Sequence, residues 1–478
     1  MEVNASCTSF FNLRFLQLLL FLLLVQGVCM QWSSDISSYQ LAAFDNPVKP
    51  ELTVTTQLNH FIVHPVTGDV YIGAINFLYR LDENLIQVAN FDTATCTRQN
   101  CLNHNKILVL QGGRLITCGS EANGICHSRN EIDLTRDGRS PESSIRYVAG
   151  YLDKSTASLI APGHEAGEFL YVAVSYTDMD SYDAIPPVAR RLLADGGGFM
   201  FHDQEEDAVK FSPAYLTTPF EINYSGVFAL DGFVYFGIQE NEAIPGSSNF
   251  EHRPKMGRVC QSARRLDAYT EILLQCQTSD GINVPIFQAL HVGRAGPQLN
   301  DSLALGYDDQ VLYTVFANNG MNGWDSALCV YKMSDILDGF SETVRGCLGG
   351  PNAGSYTPAH LQGDWCFGSM PLGYPDAYLC DAQLEFKYAT GISPVSATAV
   401  VTLPGHKATS IITTTDLNHT MAFIGTDSGN LLKVHIEDKF SARLYEVVSV
   451  DENAIQQDTL LTTDQELFVL TEQKLIKM

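Results

Sequence analysis

Asp178, Asp180 and Asp183 place three carboxylates within six residues, with Tyr182 among them. Such oxygens could ligate calcium, act as an acid–base pair, or meet a basic protein surface. An EF-hand loop would need further ligands and a glycine at a fixed offset, and these are missing. Paired carboxylates hydrolyse glycosides, but the Ser-x-Asp-x-Gly-x-x-Trp repeat of secreted sialidases is absent. Three tryptophans (Trp32, Trp324, Trp365) make a thin sugar platform. Gly425-Thr426-Asp427-Ser428-Gly429 invites comparison with a nucleophile elbow. Its order is Gly-x-x-Ser-Gly and no helix follows, so it reads as a turn between strands. Both glycine-rich phosphate cradles are absent, as is His-Glu-x-x-His, and the twelve histidines show no ligand spacing. Neither catalysis nor a cofactor is expected.

Two aromatic residues, Trp365 and Phe367, flank Cys366. They either pack beneath their own loop or stand out as interface anchors. Charge narrows the partner. Lysine and arginine total 29 against 54 acidic residues, a net charge of −25. That surface repels phosphate backbones and anionic lipid but tolerates a basic protein.

The scaffold beneath these residues must be extended chain. The 478 residues are 45% hydrophobic and 17% charged, which excludes a disordered chain or a coiled coil. Long periodic helices are hard to find. Short apolar runs paired across turns recur seven times. They are Phe61–Val63 with Val70–Ile72, Ile107–Leu110 with Leu115-Ile116, and Ser158–Ile160 with Phe169–Val172. Next come Val227–Leu230 with Phe233–Phe236, and Leu303–Leu305 with Val311–Phe316. The last two are Ile411–Thr413 with Met421–Ile424, and Leu460-Leu461 with Leu467–Leu470.

A lone hairpin is marginal in water. Seven in series can stack radially, so the expected fold class is all-β, a seven-bladed β-propeller. A two-sheet sandwich is the competitor. Leu52–Thr55 is expected to pair near Lys474-Leu475, joining both chain ends in the last blade. The widest gap, about 317–407, reads as a disulfide-rich insertion carrying Cys329, Cys347, Cys366 and Cys380.

Residues 1–29 read as a secretory signal, and 30–478 as one domain. Arg14 precedes an apolar run, Phe15–Val25, and small residues follow at Gly27 and Cys29. Eleven helical residues rise about 16 Å, too short for a bilayer core of about 30 Å. No other run is long and apolar enough to span a membrane. Cleavage after Cys29 leaves ten of the twelve cysteines, an even number suited to five disulfides. No Cys-x-x-Cys pair supports zinc or redox chemistry. The sequons at Asn223, Asn300 and Asn418 are expected to carry sugar on exposed loops.

Several separated motifs resemble the sema domain, and within it the plexins. Val63-His64-Pro65 through Gly68–Asn76 resembles the opening plexin blade, with its Tyr71-Ile72-Gly73-Ala74 core. Cys101-Leu102-Asn103-His104-Asn105-Lys106-Ile107-Leu108 is similar to the plexin run Cys-x-Asn-x-Asn-Lys-Ile-Leu. Semaphorin ligands usually carry an Asn-Phe-Ile-Arg-type run there, so this segment favours receptor over ligand. Cys118-Gly119 with Gly124–Cys126, Met256–Cys260, Phe423–Val434 and Leu467–Glu472 are similar too.

The resemblance implies a seven-bladed sema propeller, in agreement with the hairpins. It implies the pairs Cys96–Cys101, Cys118–Cys126, Cys260–Cys380, Cys276–Cys329 and Cys347–Cys366. It also implies an extracellular receptor module that binds a semaphorin, with a possible co-receptor. The expected contact set is Asp178, Asp180, Tyr182, Asp183, Arg190, Arg191, Trp365 and Phe367. A secreted semaphorin-like ligand or soluble decoy is the alternative, and a secreted propeller hydrolase a remote one. Plexins continue into PSI and immunoglobulin-like modules, a membrane span and a GTPase-activating region. The chain is therefore expected to be a soluble form or the ectodomain part of a plasma-membrane receptor.

Overall fold

Val70–Ala74 is apolar on both faces, and all five residues are buried. A strand that alternates towards two faces and is dry on both must be covered from both sides. Here each cover is a neighbouring blade. The computed structural model describes residues 32–33, 42–45, 57–94, 102–121, 124–136, 155–163, 167–177, 186–194, 198–199, 208–212, 220–244, 250–263, 266–306, 308–320, 323–349, 352–362, 366, 388–416, 419–461 and 466–478.

The chain builds seven antiparallel blades in order. Blade 1 runs from Leu58–Val63 to Gln87–Asp92, and blade 2 from Asn105–Gln111 to Cys126–Asn130. Blade 3 begins at Thr156–Pro162, blade 4 at Phe220–Leu230, and blade 5 at Ile286–Arg294. Blade 6 spans Ala408–Asp416 to Ser441–Ser449, and blade 7 starts at Ile455–Leu461. The first strands of successive blades touch in cyclic order, and the blade 7 strand returns to blade 1. Each of the seven interfaces is filled by its own apolar cluster. Between blades 7 and 1, for example, Phe468 and Leu470 meet Phe61 and Ile72. The core is thus seven wedges around an axis.

Tight turns follow local chemistry. Leu230 and Phe233 pair across Asp231-Gly232, which take φ of 49° and 80°. Positive φ at both positions is what a two-residue hairpin of matching twist demands, and Asp-Gly supplies it.

The structure corrects several expectations. Leu303–Leu305 is not a strand. Pro297–Leu303 is a helix with proline in its first turn, ended by Ala304 in the left-handed region (φ 53°). Proline starts a helix because its missing N–H is not needed there. The partner of Gln310–Gly320 is instead Ile286–Arg294. Blade 7 is closed by an early segment, but that segment is Ala42–Asp45, antiparallel to Lys474–Lys477. Leu52–Thr55 lies outside the described residues.

The insertion is also shorter than 317–407. Gly323–Lys332 pairs with Gln310–Gly320 as a blade strand, and Ala399–Pro404 pairs with Gly323–Lys332 in turn. The 17-residue strand Tyr388–Pro404 first runs parallel to Tyr269–Gln277 of blade 4, then crosses to blade 5. What is inserted begins with a helix, Met333–Gly349, unexpected from sequence. Its Met333, Ile336, Phe340, Val344 and Cys347 are buried at helical spacing, the first three against blades 4 and 5 and the last two against Cys366 and Ala389.

Candidate functional site

Six of the expected contact residues, Asp178, Asp180, Tyr182, Asp183, Trp365 and Phe367, lie outside the described residues. Their anchors are described. Residues 178–185 connect two antiparallel strands of blade 3, Glu168–Val174 and Val188–Ala194. Just before them, Tyr176-Thr177 pairs with Glu221-Ile222 of blade 4. Cys366 is fully buried and bonded to Cys347, near the end of the inserted helix. Its N–H donates to Thr357 Oγ1 at 3.0 Å.

Arg190 and Arg191 do not stand at the surface. They are 0% and 5% exposed, inside the strand opposite Tyr171 and Leu170. The Arg190 guanidinium lies 5.1 Å from the centroid of the Phe169 ring, and Arg191 Nη1 donates to the Arg190 carbonyl. An aromatic face beside Arg190 and a main-chain oxygen beside Arg191 replace part of the water that a surface arginine would keep. These two residues therefore belong to the packed interior of blade 3.

The densest buried chemistry is elsewhere. Glu240, Lys255 and Glu271 come from three neighbouring strands of blade 4, and His360 comes from the insertion. Lys255 Nζ donates to Glu240 Oε2 at 2.5 Å and to Glu271 Oε2 at 2.9 Å. His360 Nε2 is 3.1 Å from Glu271 Oε1, and the Tyr269 hydroxyl donates to that oxygen at 3.0 Å. Burial pushes the Glu271 carboxyl up, but Lys255 and His360 outweigh it and hold the group below its ordinary range. Glu240 is lowered on the same balance. Burial alone would lower Lys255, yet the two carboxylates raise it.

Glu240, Glu271 and His360 have the donor types of a metal centre, with ligand atoms within 4.8 Å of one another. The Lys255 ammonium already occupies the place between the carboxylates that a cation would take. The group is a clamp rather than a reaction centre. It fastens the segment around His360, whose carbonyl accepts from Ser212 N–H at 2.9 Å, onto blade 4.

The first motifs behind the plexin resemblance, around Gly73–Asn76 and Asn103–Asn105, form a second clamp, between blades 1 and 2. Asn76 sits at φ 64°, and its Oδ1 accepts from Asn103 N–H at 2.7 Å. Asn103 Oδ1 accepts from Glu121 N–H at 3.0 Å, and its amide donates to the Thr93 carbonyl at 3.2 Å. A Cβ on Gly73 would overlap the Asn105 side chain, and one on Gly119 would overlap Asn103. The glycines are therefore seats for the asparagines.

The axis holds a cavity of about 360 Å³ lined by the first strands of all seven blades. His60 Nδ1 meets Asp458 Oδ2 there at 2.8 Å, and His291 Nδ1 meets Thr413 Oγ1 at 2.8 Å. A His–Asp pair can orient a general base. Among the described residues, however, no hydroxyl is hydrogen-bonded to the other nitrogen of His60.

Residues 287–462, from blade 5 into blade 7, match the Sema domain family model. Human Plexin-A4 is 28% identical over 461 residues, covering 88% of this chain. Over most of its length the chain is similar to plexins, and part of it matches the Sema domain. The chain spans 24% of the length of human Plexin-A4. The extracellular region of plexin A4 superposes with a TM-score of 0.76 at 24% identity, over 92% of this chain and 51% of that one. A chain from the complex of Drosophila Plexin A with Semaphorin 1b superposes at 0.59 and 15% identity, over 92% of this chain and 86% of that one. Both superpositions bear on the fold.

The propeller contains Cys118–Cys126, Cys276–Cys329 and Cys347–Cys366 as bonded pairs. Cys260 is also disulfide-bonded, while Cys96, Cys101 and Cys380 lie outside the described residues. Two sequons are not on exposed loops. Asn223 is half-buried in a blade 4 strand, and its Ser225 is buried with Oγ donating to the Phe287 carbonyl. Asn300 lies in the Pro297–Leu303 helix, its amide donating to the Leu305 carbonyl. Asn418 lies outside the described residues.

Proposed function

We propose that this chain is the semaphorin-binding propeller of a plexin-like receptor, works outside the cell, and catalyses no reaction. The observation that carries the reading is the plexin likeness along 88% of the chain, joined to a closed ring whose buried carboxylates Glu240 and Glu271 are paired with Lys255. A plexin and a semaphorin assemble in the Drosophila complex that shares this fold. The plexins among the sequence relatives favour receptor over ligand or decoy.

The proposed contact is the 178–185 connection of blade 3, with Trp365 and Phe367 beside the Cys347–Cys366 bond. Its acidic side chains would steer a basic patch on the semaphorin and make the association rate salt-dependent. Arg190 and Arg191 belong to the packed interior of blade 3. A co-receptor could share the assembly, and a secretory signal at 1–29 would deliver the chain.

The test is surface plasmon resonance of the purified chain against a panel of semaphorins. One or more should bind, and Asp180→Lys with Asp183→Lys should weaken capture at least about tenfold. Full binding by a well-folded double variant would remove the site. No binding across the panel would remove the function.

A further inference from the structure

Blade 6 carries two histidines that the semaphorin reading does not use. His419 is exposed and His435 half-buried, on adjacent strands His419–Thr426 and Asn430–Asp438. Their neighbours Thr420, Ala422, Val434 and Ile436 are buried, so alternation sends both imidazoles to the solvent side. His419 Nδ1 and His435 Nε2 face each other at 3.0 Å, with ring planes 79° apart. Only one of two facing neutral nitrogens can carry a proton, so the pair is held by a single N–H···N contact.

We propose that His419 and His435 form a chelating site for a divalent transition ion of the zinc, nickel or copper type. A tetrahedral ion with bonds of about 2.0–2.1 Å holds two imidazole nitrogens roughly 3.3–3.4 Å apart. The pair is within a few tenths of an ångström of that bite, on a strand ladder that fixes both backbones. The shared proton moves to the other nitrogen of its own ring, so both facing lone pairs become free without net proton loss.

Glu437 stands two residues beyond His435 on the same face but is not within ligand distance of both imidazoles, so the two histidines carry the site. The register Thr420↔Ile436, continued one step, sets it beside His419. Its Oε1 is held at 3.1 Å by Arg443, itself paired across the ladder with His435. Two imidazoles suit borderline transition ions, whereas calcium and magnesium prefer all-oxygen shells. The remaining positions face solvent, where water or a donor from another molecule would complete the shell.

Isothermal titration calorimetry of the metal-free full chain with zinc chloride and nickel chloride tests this, with calcium chloride as control. One saturable site per chain is expected for zinc and nickel, and none for calcium here. His419→Gln and His435→Gln should each weaken it by about tenfold or more, and Glu437→Gln by less. Arg443→Ala, which frees the carboxylate, should tighten it. A zinc-dependent rise in melting temperature, lost in His435→Gln, is the second readout. No saturable zinc uptake, or zinc affinity unchanged from the unsubstituted chain in either histidine variant, would overturn the proposal.

Discussion

Blades 1 and 2 are joined by neutral amides, whereas blade 4 is joined to the insertion by buried charge. In the first clamp Asn76 and Asn103 satisfy main-chain groups at 2.7–3.2 Å, over a span of fewer than 50 residues. In the second, Lys255, Glu240 and Glu271 meet His360 across a sequence separation of 89 from Glu271. Losing an amide strands one neutral group. Losing the lysine strands two anions in a dry interior. The two clamps do the same mechanical work, but their failure costs differ in kind.

The largest expected effect therefore follows Lys255→Met. It should lower unfolding stability by about 3–5 kcal/mol, read as a drop in urea midpoint. Restoring the balance with Glu240→Gln and Glu271→Gln should recover part of the loss. If Lys255→Met alone is neutral, the ionic clamp is not holding the insertion. Gly73→Ala comes next, since its methyl must push Asn105 aside, at about 1–3 kcal/mol. Asn103→Ala should cost about 1–2 kcal/mol by the same measurement. A larger loss for Asn103→Ala than for Lys255→Met would reverse the ranking.

Acid should separate the clamps further. Burial, with Lys106 nearby, lowers His104 in the amide clamp from 6.5 to about 4. Burial and two arginines lower the neighbouring His127 to about 4 as well. Both are neutral when folded and bind protons more readily when unfolded, so their contribution is full above pH 6.5 and declines as pH falls towards 4. The carboxylates of the ionic clamp have lowered pKa values, so their stabilisation is lost only below the ordinary carboxylate range. Hydrogen exchange at pH 5, corrected for intrinsic rate, should open Asn105–Gln111 before Tyr269–Gln277. Simultaneous opening would remove the distinction.

The same contrast explains what the sequence could reveal. Six of the seven hairpin pairs rest on neighbours in the chain, so alternation and turn residues exposed them, whereas the residues of the amide clamp stood out only as motifs of a family resemblance. Leu303–Leu305 misled because three apolar residues fit a strand as well as a helix end, and Pro297 had to break the tie. The inserted helix could have been found, since Met333, Ile336, Phe340, Val344 and Cys347 repeat at helical spacing. The ionic clamp had no such signal. Glu240, Lys255, Glu271 and His360 each read as ordinary surface residues until three strands and an insertion bring them together. Arg190 and Arg191 misled for a related reason: adjacent arginines suggest a wet surface, yet a strand between packed blades buried both.

The contact itself is best tested by footprinting. Hydrogen exchange of the chain, alone and saturated with a bound semaphorin, reads the whole ring at once. Protection is expected at 178–185 and around Cys366, with no change along the axial strands bearing His60, His291 and Asp458. Protection centred on the axial cavity, with none at the blade 3 connection, would contradict the account.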